Sequence, residues 1–385
     1  MKRLLAREEL EKLSQIDSFE GKSYNELADL VCKDEGIANC RPDGMVKIDP
    51  RNGERIVYNT KRAKRPHDNA SDEKLSKVEK PCVICEGKTT GVLDIAPLSE
   101  GETFINKNLF PILYPDIPDE VSACPNPLEM ESLAAGSPTY GFHFLQWTST
   151  HHDKDWQNMP LADRVVCVER LAALEMSLLY GAGEDKRFHS NEVWGDDEGT
   201  RGFVSIIKNY GRLVGGSLEH GHQQIAYTNV IPRKFLDNLR FEKERGEKYT
   251  EYMWRENPAE YTVRDYGCAR LVVPYYMRRP YDMQLIFKDT EKKYLFHLED
   301  DELKAMASAW HDAISAMLHI MPRIGREAAY NVVVHAGPGA GIYVEFLPYT
   351  QEIGGYEQAG LYLCQGNPQD VVKNLKEFFQ EQPSE

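Results

Sequence analysis

The same order of elements, strands then a long amphipathic helix then strands, occurs twice along this 385-residue chain. In the first half, strand-like runs at Gly91–Ile95, Thr103–Asn106 and Gly141–Trp147 precede a helix over Pro160–Tyr180. Its apolar residues Val165, Val168, Leu171, Leu174 and Leu178 recur at helical spacing. Strands on either side of the segment Asn209–Gln224 follow. In the second half, strands at Ala269–Tyr276 and Asp282–Phe287 precede a helix over Asp300–Met321, and strands at Tyr330–His335 and Ile342–Leu347 complete the set. Such a pattern predicts an α+β fold of two similar units, although repetition of individual residues is faint. Residues 1–44 read as a helical extension ending near Pro42-Asp-Gly44. Met45–Asp49 and Arg55–Asn59, joined by Pro50-Arg-Asn-Gly53, read as a hairpin. Residues 66–80 read as a polar loop, and 231–258 as a helix and a linker. The expected division is 1–44, 45–232 and 233–385.

Hydrophobic residues at 41% and charged residues at 28% describe a soluble globular protein. No apolar run approaches the ~20 residues needed to cross a bilayer. The first residues, MKRLLAREELEKLSQ, carry charges through their apolar positions and so read as a short amphipathic helix, not a signal peptide. A net charge of −15 argues against broad binding to nucleic acid or anionic membrane. Eight scattered cysteines without a secretion signal point to a reduced, cytoplasmic compartment. Against this acidic background the basic cluster Lys61–Pro66 stands out.

Asn209–Gln224, read as NYGRLVGGSLEHGHQQ, carries the densest chemistry. A glycine-rich turn with Ser217 leads into His220-Gly-His222-Gln-Gln224. On an extended chain His220, His222 and Gln224 share one face, because strand side chains alternate. Two imidazoles and an amide beside exposed backbone N–H groups can bring a nitrogen nucleophile to a phosphorus atom while donors hold its oxygens. The competing readings are surface histidines or a pair of metal ligands. Cys82-Val-Ile-Cys85 has the spacing of a zinc knuckle, and His152 and His220 are the natural completion of a structural Cys₂His₂ site. A buried free-thiol pair or a redox pair competes with that reading.

Taken together these motifs resemble the galactose-1-phosphate uridylyltransferase family of the histidine-triad (HIT) superfamily. The family pattern around the nucleophile is reproduced in register by Asn209, Gly211, Gly215, Ser217, His220, His222 and Gln224. Arg62-Ala-Lys-Arg65-Pro66 is similar to the family's Arg-x-x-Arg-Pro signature. Cys82 and Cys85 followed by Asn108-Leu-Phe-Pro111, Ser149-Thr-His-His152, Val273-Pro-Tyr275, Pro280-Tyr281 and Gly355-Tyr-Glu357 match further motifs in order. The likeness runs from about residue 45 to the C-terminus.

The resemblance implies two tandem HIT-like domains with antiparallel sheets and packed helices, and a homodimer. It implies ping-pong nucleotidyl transfer through a covalent nucleotidyl-His222, from a nucleoside-diphosphate donor to a phosphate-bearing acceptor. Gln224 and Ser217 would assist at the phosphate; Arg62, Arg65, Asn108, Asn209 and Gly215 would bind the nucleotide and its phosphates; Glu357 and Gln365 would contact the acceptor. Cys82, Cys85, His152 and His220 would hold a structural zinc, with His151 the competing choice to His152. Departures matter as well. Tyr343-Val-Glu345 stands where some relatives build an iron site on an HxH, so iron is not expected. Gln351 replaces an acceptor lysine, and Leu109 replaces a frequent acidic residue. These changes leave room for adenylyl-transferring relatives, including ADP-glucose phosphorylase and adenylylsulfate:phosphate adenylyltransferases. Two rival functions are a nucleotide hydrolase and a non-catalytic zinc-stabilised nucleotide-binding protein. The glutamine at 224, where hydrolases place a third histidine, speaks against hydrolysis.

Overall fold

The computed structural model describes residues 3–64, 81–116, 136–183, 185 and 187–381. Near the N-terminus lie helices α1 (Arg7–Leu13), α2 (Tyr24–Cys32) and α3 (Glu35–Asn39). Helix α2 starts at Ser23, whose hydroxyl accepts from the Glu26 N–H while the Glu26 carboxylate accepts from the Ser23 N–H, a reciprocal cap. These helices are packed on the body: Phe19 and Leu27 sit in the main core cluster. The hairpin strands β1 (Met45–Ile48) and β2 (Arg55–Tyr58) form with 137–138 a small separate sheet.

Among the described residues the main sheet is antiparallel and ten-stranded. The first half supplies β3 (Val92–Pro97), β4 (Glu102–Lys107), the short β5 (Ser137–Pro138) of the small sheet, β6 (Gly141–Trp147), helix α4 (Leu161–Gly181), β7 (Phe203–Tyr210) and β8 (His222–Thr228). Helices α5 (Arg233–Arg245) and α6 (Tyr249–Glu256) follow, split at Gly246, which takes φ 72°. The second half supplies β9 (Thr262–Asp265), β10 (Ala269–Val272), β11 (Met283–Phe287), helix α7 (Asp300–Arg323), β12 (Tyr330–His335), β13 (Tyr343–Pro348) and helices α8 (Gly355–Gln358) and α9 (Pro368–Glu381). Strand order is β3-β4-β6-β8-β7-β12-β13-β11-β10-β9, so the second half repeats the first in reverse across the β7–β12 seam. The expected pair of sheets is therefore one continuous sheet, joined where Ile207 pairs with Val333. The expected strand over 269–276 stops at Val272, because Pro274 has no N–H to give a ladder.

Alternation along β8 sends Gln223, Ile225 and Tyr227 to the face covered by α4 and α7, and His222, Gln224 and Ala226 to the other. The covered face is a hydrophobic core in which the rings of Trp156 and Trp310 pack at 4.4 Å, tilted by 48°. Gly141 lets β6 lie close to β8: a Cβ there would fall 1.9 Å from the Tyr227 carbonyl oxygen.

One core carboxyl makes stability fall with pH. Burial pushes Glu175 of α4 up to about 8, against the pull of N–H groups from Leu295 and Phe296, the former at 2.6 Å. Between its ordinary 4.5 and about 8 the folded chain holds a proton that the unfolded chain has released. This group's contribution is therefore full below 4.5 and lost as pH rises through 8. Thermal melts at pH 6 and pH 9 should show the wild type losing roughly 3 °C or more beyond Glu175→Gln; equal losses would remove Glu175 as the cause.

Candidate active site and metal cluster

β8 is rigid from beneath. Gln223 donates to Gln146 Oε1 (2.9 Å) and accepts from Trp156 Nε1 (3.1 Å). The Lys208 ammonium, 2% exposed, pairs with Asp155 at 2.8 Å and donates to the His222 carbonyl at 3.3 Å. A buried pair of this kind needs such extra bonds to offset its desolvation. On the opposite face Trp147 packs 4.9 Å from the His222 ring. His222 Nδ1 lies 2.8 Å from the carbonyl oxygen of His220. A carbonyl only accepts, so Nδ1 carries the proton and Nε2 carries the lone pair.

His220 departs from the sequence expectation. It does not share the strand face of His222, because β8 begins at His222 and His220 lies in the preceding bend. Gly221 lies hard against Asp155, where a Cβ would come 2.6 Å from the carboxyl carbon. The His220 ring turns instead to the cysteines. Its Nε2 donates to the Ser149 carbonyl at 2.7 Å, which aims the Nδ1 lone pair at Cys82 Sγ (3.6 Å) and Cys85 Sγ (3.7 Å). His152 Nδ1 lies 3.7 Å from Cys85 Sγ. Ligand atoms of Cys82, Cys85, His152 and His220 all lie within 4.8 Å of one another. A tetrahedral ion with bonds of about 2.3 Å to sulfur and about 2.0 Å to nitrogen requires S···N edges of about 3.5 Å. The cluster could therefore hold a metal, and two thiolates with two imidazoles suit zinc. Burial lowers His220 to about 4, which keeps the ring neutral as a ligand must be. His151 is outside the cluster and packs against Gly101.

The loop between β7 and β8 folds back on itself. Gly211 and Gly215 take φ 85° and 87°, and a Cβ on Gly216 would sit 2.8 Å from the Gly211 nitrogen. Ser217 follows, half-buried. Asn209 at the end of β7 accepts from the Asn331 amide of β12 at 2.7 Å. Across β6, Asn108 is anchored on buried His143: its Nδ2 lies 3.3 Å from Nδ1, and its Oδ1 accepts from the Phe110 N–H at 2.9 Å. Arg62 donates to the Phe110 carbonyl at 2.7 Å. Arg65 lies outside the described residues. Because His143 pairs with Ala226 and Trp147 with His222, the Asn108–His143 pair sits four residues along the same face from His222. That is about 13 Å of strand. Trp147, His143, Lys208, Asp155 and Asn331 carry no signal of their role in the sequence. Only the strand register, with His143 two residues from Leu145 opposite Gln224, reveals them.

Glu357 is elsewhere in the chain. Its carboxylate accepts from the Gly354 N–H (2.9 Å) and the Leu363 N–H (3.2 Å), and it lines a cavity of about 150 Å³ with Tyr276, Arg278, Arg279 and Gln351 beside β13. β13 is three strands from β8, about 14 Å across the sheet. Gln351, 2% exposed, is a brace: it donates to the Leu363 carbonyl and accepts from the Gln365 N–H. The Gln365 side chain is exposed. Across the β7–β12 seam, Val333 pairs with Glu345 as Ile207 pairs with Gln224. The second half thus places Tyr343 and Glu345 where the first places His222 and Gln224. Glu345 there pairs with Lys234 and accepts a hydrogen bond from His335 (2.8 Å), so an ion pair and a hydrogen bond occupy that position.

No protein-family model matches the chain. It is 22% identical over 363 residues to an ADP-glucose phosphorylase of Arabidopsis thaliana, covering 89% of this chain and 95% of that one. It is also 22% identical to a galactose-1-phosphate uridylyltransferase of Cryptococcus neoformans var. neoformans serotype D, covering 70% of this chain and 69% of that one. A solved structure of a uridylyltransferase mutant shares the fold, with a TM-score of 0.64 at 17% identity over 89% of this chain and 99% of the other. The motif resemblance to the galactose-1-phosphate uridylyltransferase family is thus matched by sequence relatives and by fold. Among the described residues no helix is long and apolar enough to cross a membrane.

Proposed function

We propose that this chain transfers a nucleoside monophosphate from a nucleoside-diphosphate donor to a phosphate-bearing acceptor through a covalent His222 intermediate. The observation that carries this reading is the His222 tautomer: the His220 carbonyl holds the Nδ1 proton and leaves the Nε2 lone pair for attack. In the first step Nε2 forms a bond to the α-phosphorus, and the bridging P–O bond breaks with its electrons leaving on the departing phosphate. The ring becomes cationic, and the carbonyl at 2.8 Å stabilises the Nδ1 proton. In the second step an acceptor phosphate oxygen attacks, and the N–P bond breaks. Gln224, on the same face, donates to a non-bridging oxygen, and the 211–217 loop with Ser217 surrounds the phosphates. The Asn108–His143 end suits a nucleobase, since about 13 Å of strand spans a nucleoside monophosphate. Zinc held by Cys82, Cys85, His152 and His220 would have all four positions filled by protein, and so serves structure.

The relatives named for galactose-1-phosphate uridylyl transfer and for ADP-glucose phosphorolysis bracket the acceptor choice. Two observations favour inorganic phosphate and an adenylyl group. Gln351 is consumed by the Leu363 and Gln365 backbone, and the phosphorylase relative covers more of the chain. A homodimer accounts for Glu357 and Gln365, which lie beside β13 and not beside β8, and for the exposed apolar side chains Ile353, Tyr356 and Leu361 around them. A second copy would bring these residues to the His222 face.

The test is a screen of UDP-glucose, ADP-glucose and adenylylsulfate as donors, each with hexose 1-phosphate or inorganic phosphate as acceptor. Turnover of one pair by exchange supports the reading, and donor loss only to water makes the protein a hydrolase. Arg62→Ala should raise the KM for the donor about tenfold or more with a smaller effect on kcat, because its guanidinium binds the diphosphate in ground and transition state alike. An unchanged donor KM would refute that role.

A further inference from the structure

Residues 3–15 touch most of the segments that carry the Cys82/Cys85/His152/His220 cluster. Arg3 to Leu5 run antiparallel to the His152 segment: the Leu5 N–H donates to the Thr150 carbonyl at 3.1 Å, the His152 N–H donates to the Arg3 carbonyl at 2.9 Å, and Leu4 bridges to His151. The backbone of one ligand is thereby fixed by the start of the chain. Leu5 and Leu10, both 0% exposed, pack in a separate hydrophobic cluster with Ile84 and Trp147, and Cys82 and Leu218 lie against it. Ile84 sits between the two cysteines, and Leu218 is in the loop that leads to His220. Trp147 is 5.3 Å from the His220 ring and 4.9 Å from the His222 ring. Beyond α1 the Gln15 N–H donates to the Val92 carbonyl at 2.9 Å, pairing the arm with the start of the outermost strand β3.

We propose that residues 3–15 are a clamp on the metal cluster, so that docking of this arm and retention of the metal are one coupled equilibrium. The proposal rests on the reading of the cluster as a zinc site. Burial of two leucines against the knuckle makes the undocked arm costly, and opening the knuckle exposes the same apolar surface. Linkage then requires reciprocity: whatever the arm adds to metal affinity, the metal adds to arm docking. Leu5 and Leu10 are positioning residues here, since neither offers a ligand atom.

The experiment follows zinc release from the full-length protein into a chromogenic chelator. Wild type is compared with Leu5→Asp, with the milder Leu10→Ala, with the conservative Leu5→Met, and with Met317→Ala in the distant core of α7 as a control for general destabilisation. The clamp predicts release about tenfold faster in Leu5→Asp, or in Leu10→Ala if the aspartate variant does not fold. It predicts release near the wild-type rate in Leu5→Met and in Met317→Ala. Hydrogen exchange on the same protein should show the Leu5 and Gln15 amides protected with zinc and exposed after it is stripped. Unchanged release in the arm variants, or equal acceleration in Met317→Ala, overturns the clamp. Wild-type protein that holds no zinc when purified would instead sink the metal reading beneath it.

Discussion

His222→Ala is expected to lower kcat/KM by at least about four orders of magnitude, because a double-displacement enzyme without its nucleophile has no second route of similar height. Donor binding should persist. The loop of glycines at 211–216, Asn108 with His143, and Arg62 all remain in the variant. The prediction is thus a collapse in turnover with the donor dissociation constant within a few-fold of wild type. Steady-state kinetics with a donor-binding titration check it. A variant that keeps even a hundredth of wild-type turnover would mean the acceptor attacks the donor directly. His222→Asn is a useful companion. Its amide can keep a bond to the His220 carbonyl but offers no nucleophilic nitrogen, so it should be equally inactive.

The second large effect belongs to the metal cluster. Cys85 is buried, and its sulfur lies 3.7 Å from both His152 Nδ1 and His220 Nδ1, so it is the hub of the four candidate ligands. Cys85→Ser should abolish stoichiometric zinc and lower stability by about 3 kcal/mol or more. The loss is expected to spread to catalysis, because the carbonyl 2.8 Å from His222 Nδ1 belongs to His220, one of the four candidate ligands. Metal analysis and thermal melts check both parts. Cys85→Ser protein with full zinc and wild-type melting would show that the cluster is a pair of thiols beside two histidines and nothing more. The same chelation applied to wild type should lower the melting temperature to that of the variant.

Much of this is legible in the sequence because it rests on local chemistry. Strand boundaries at Gly141–Trp147 and Tyr330–His335 follow from runs of β-branched and aromatic residues, and α4 follows from its apolar spacing. The thiol pair Cys82 and Cys85 is legible from its knuckle spacing, whereas His152 and His220, 67 and 135 residues from Cys85, enter only as candidates through the motif resemblance. What stays hidden depends on register. That both halves of the chain share one sheet is decided by β7 pairing with β12, and polar side chains such as Asn209 and Asn331 carry no one-dimensional mark of meeting. His143 and Lys208 are invisible for the same reason. The turn of His220 away from the strand face needs the Gly221–Asp155 contact, which joins positions 66 residues apart. Helix α9 is a different case. Val371, Val372, Leu375, Phe378 and Phe379 do repeat at helical spacing, so the helix is legible in the sequence although the expected elements stop short of it.

A phosphorus–nitrogen bond at the His222 ring can be trapped directly. Wild-type protein mixed with α-³²P-labelled UDP-glucose or ADP-glucose, without acceptor, is denatured in base and digested, and the labelled peptide is sequenced. Close to one label per active chain is expected from one of these donors, stable in base and lost in acid, on the peptide containing His222 and discharged by adding acceptor before quenching. A label on any other residue, or exchange at full rate with no label at all, would contradict a His222 intermediate.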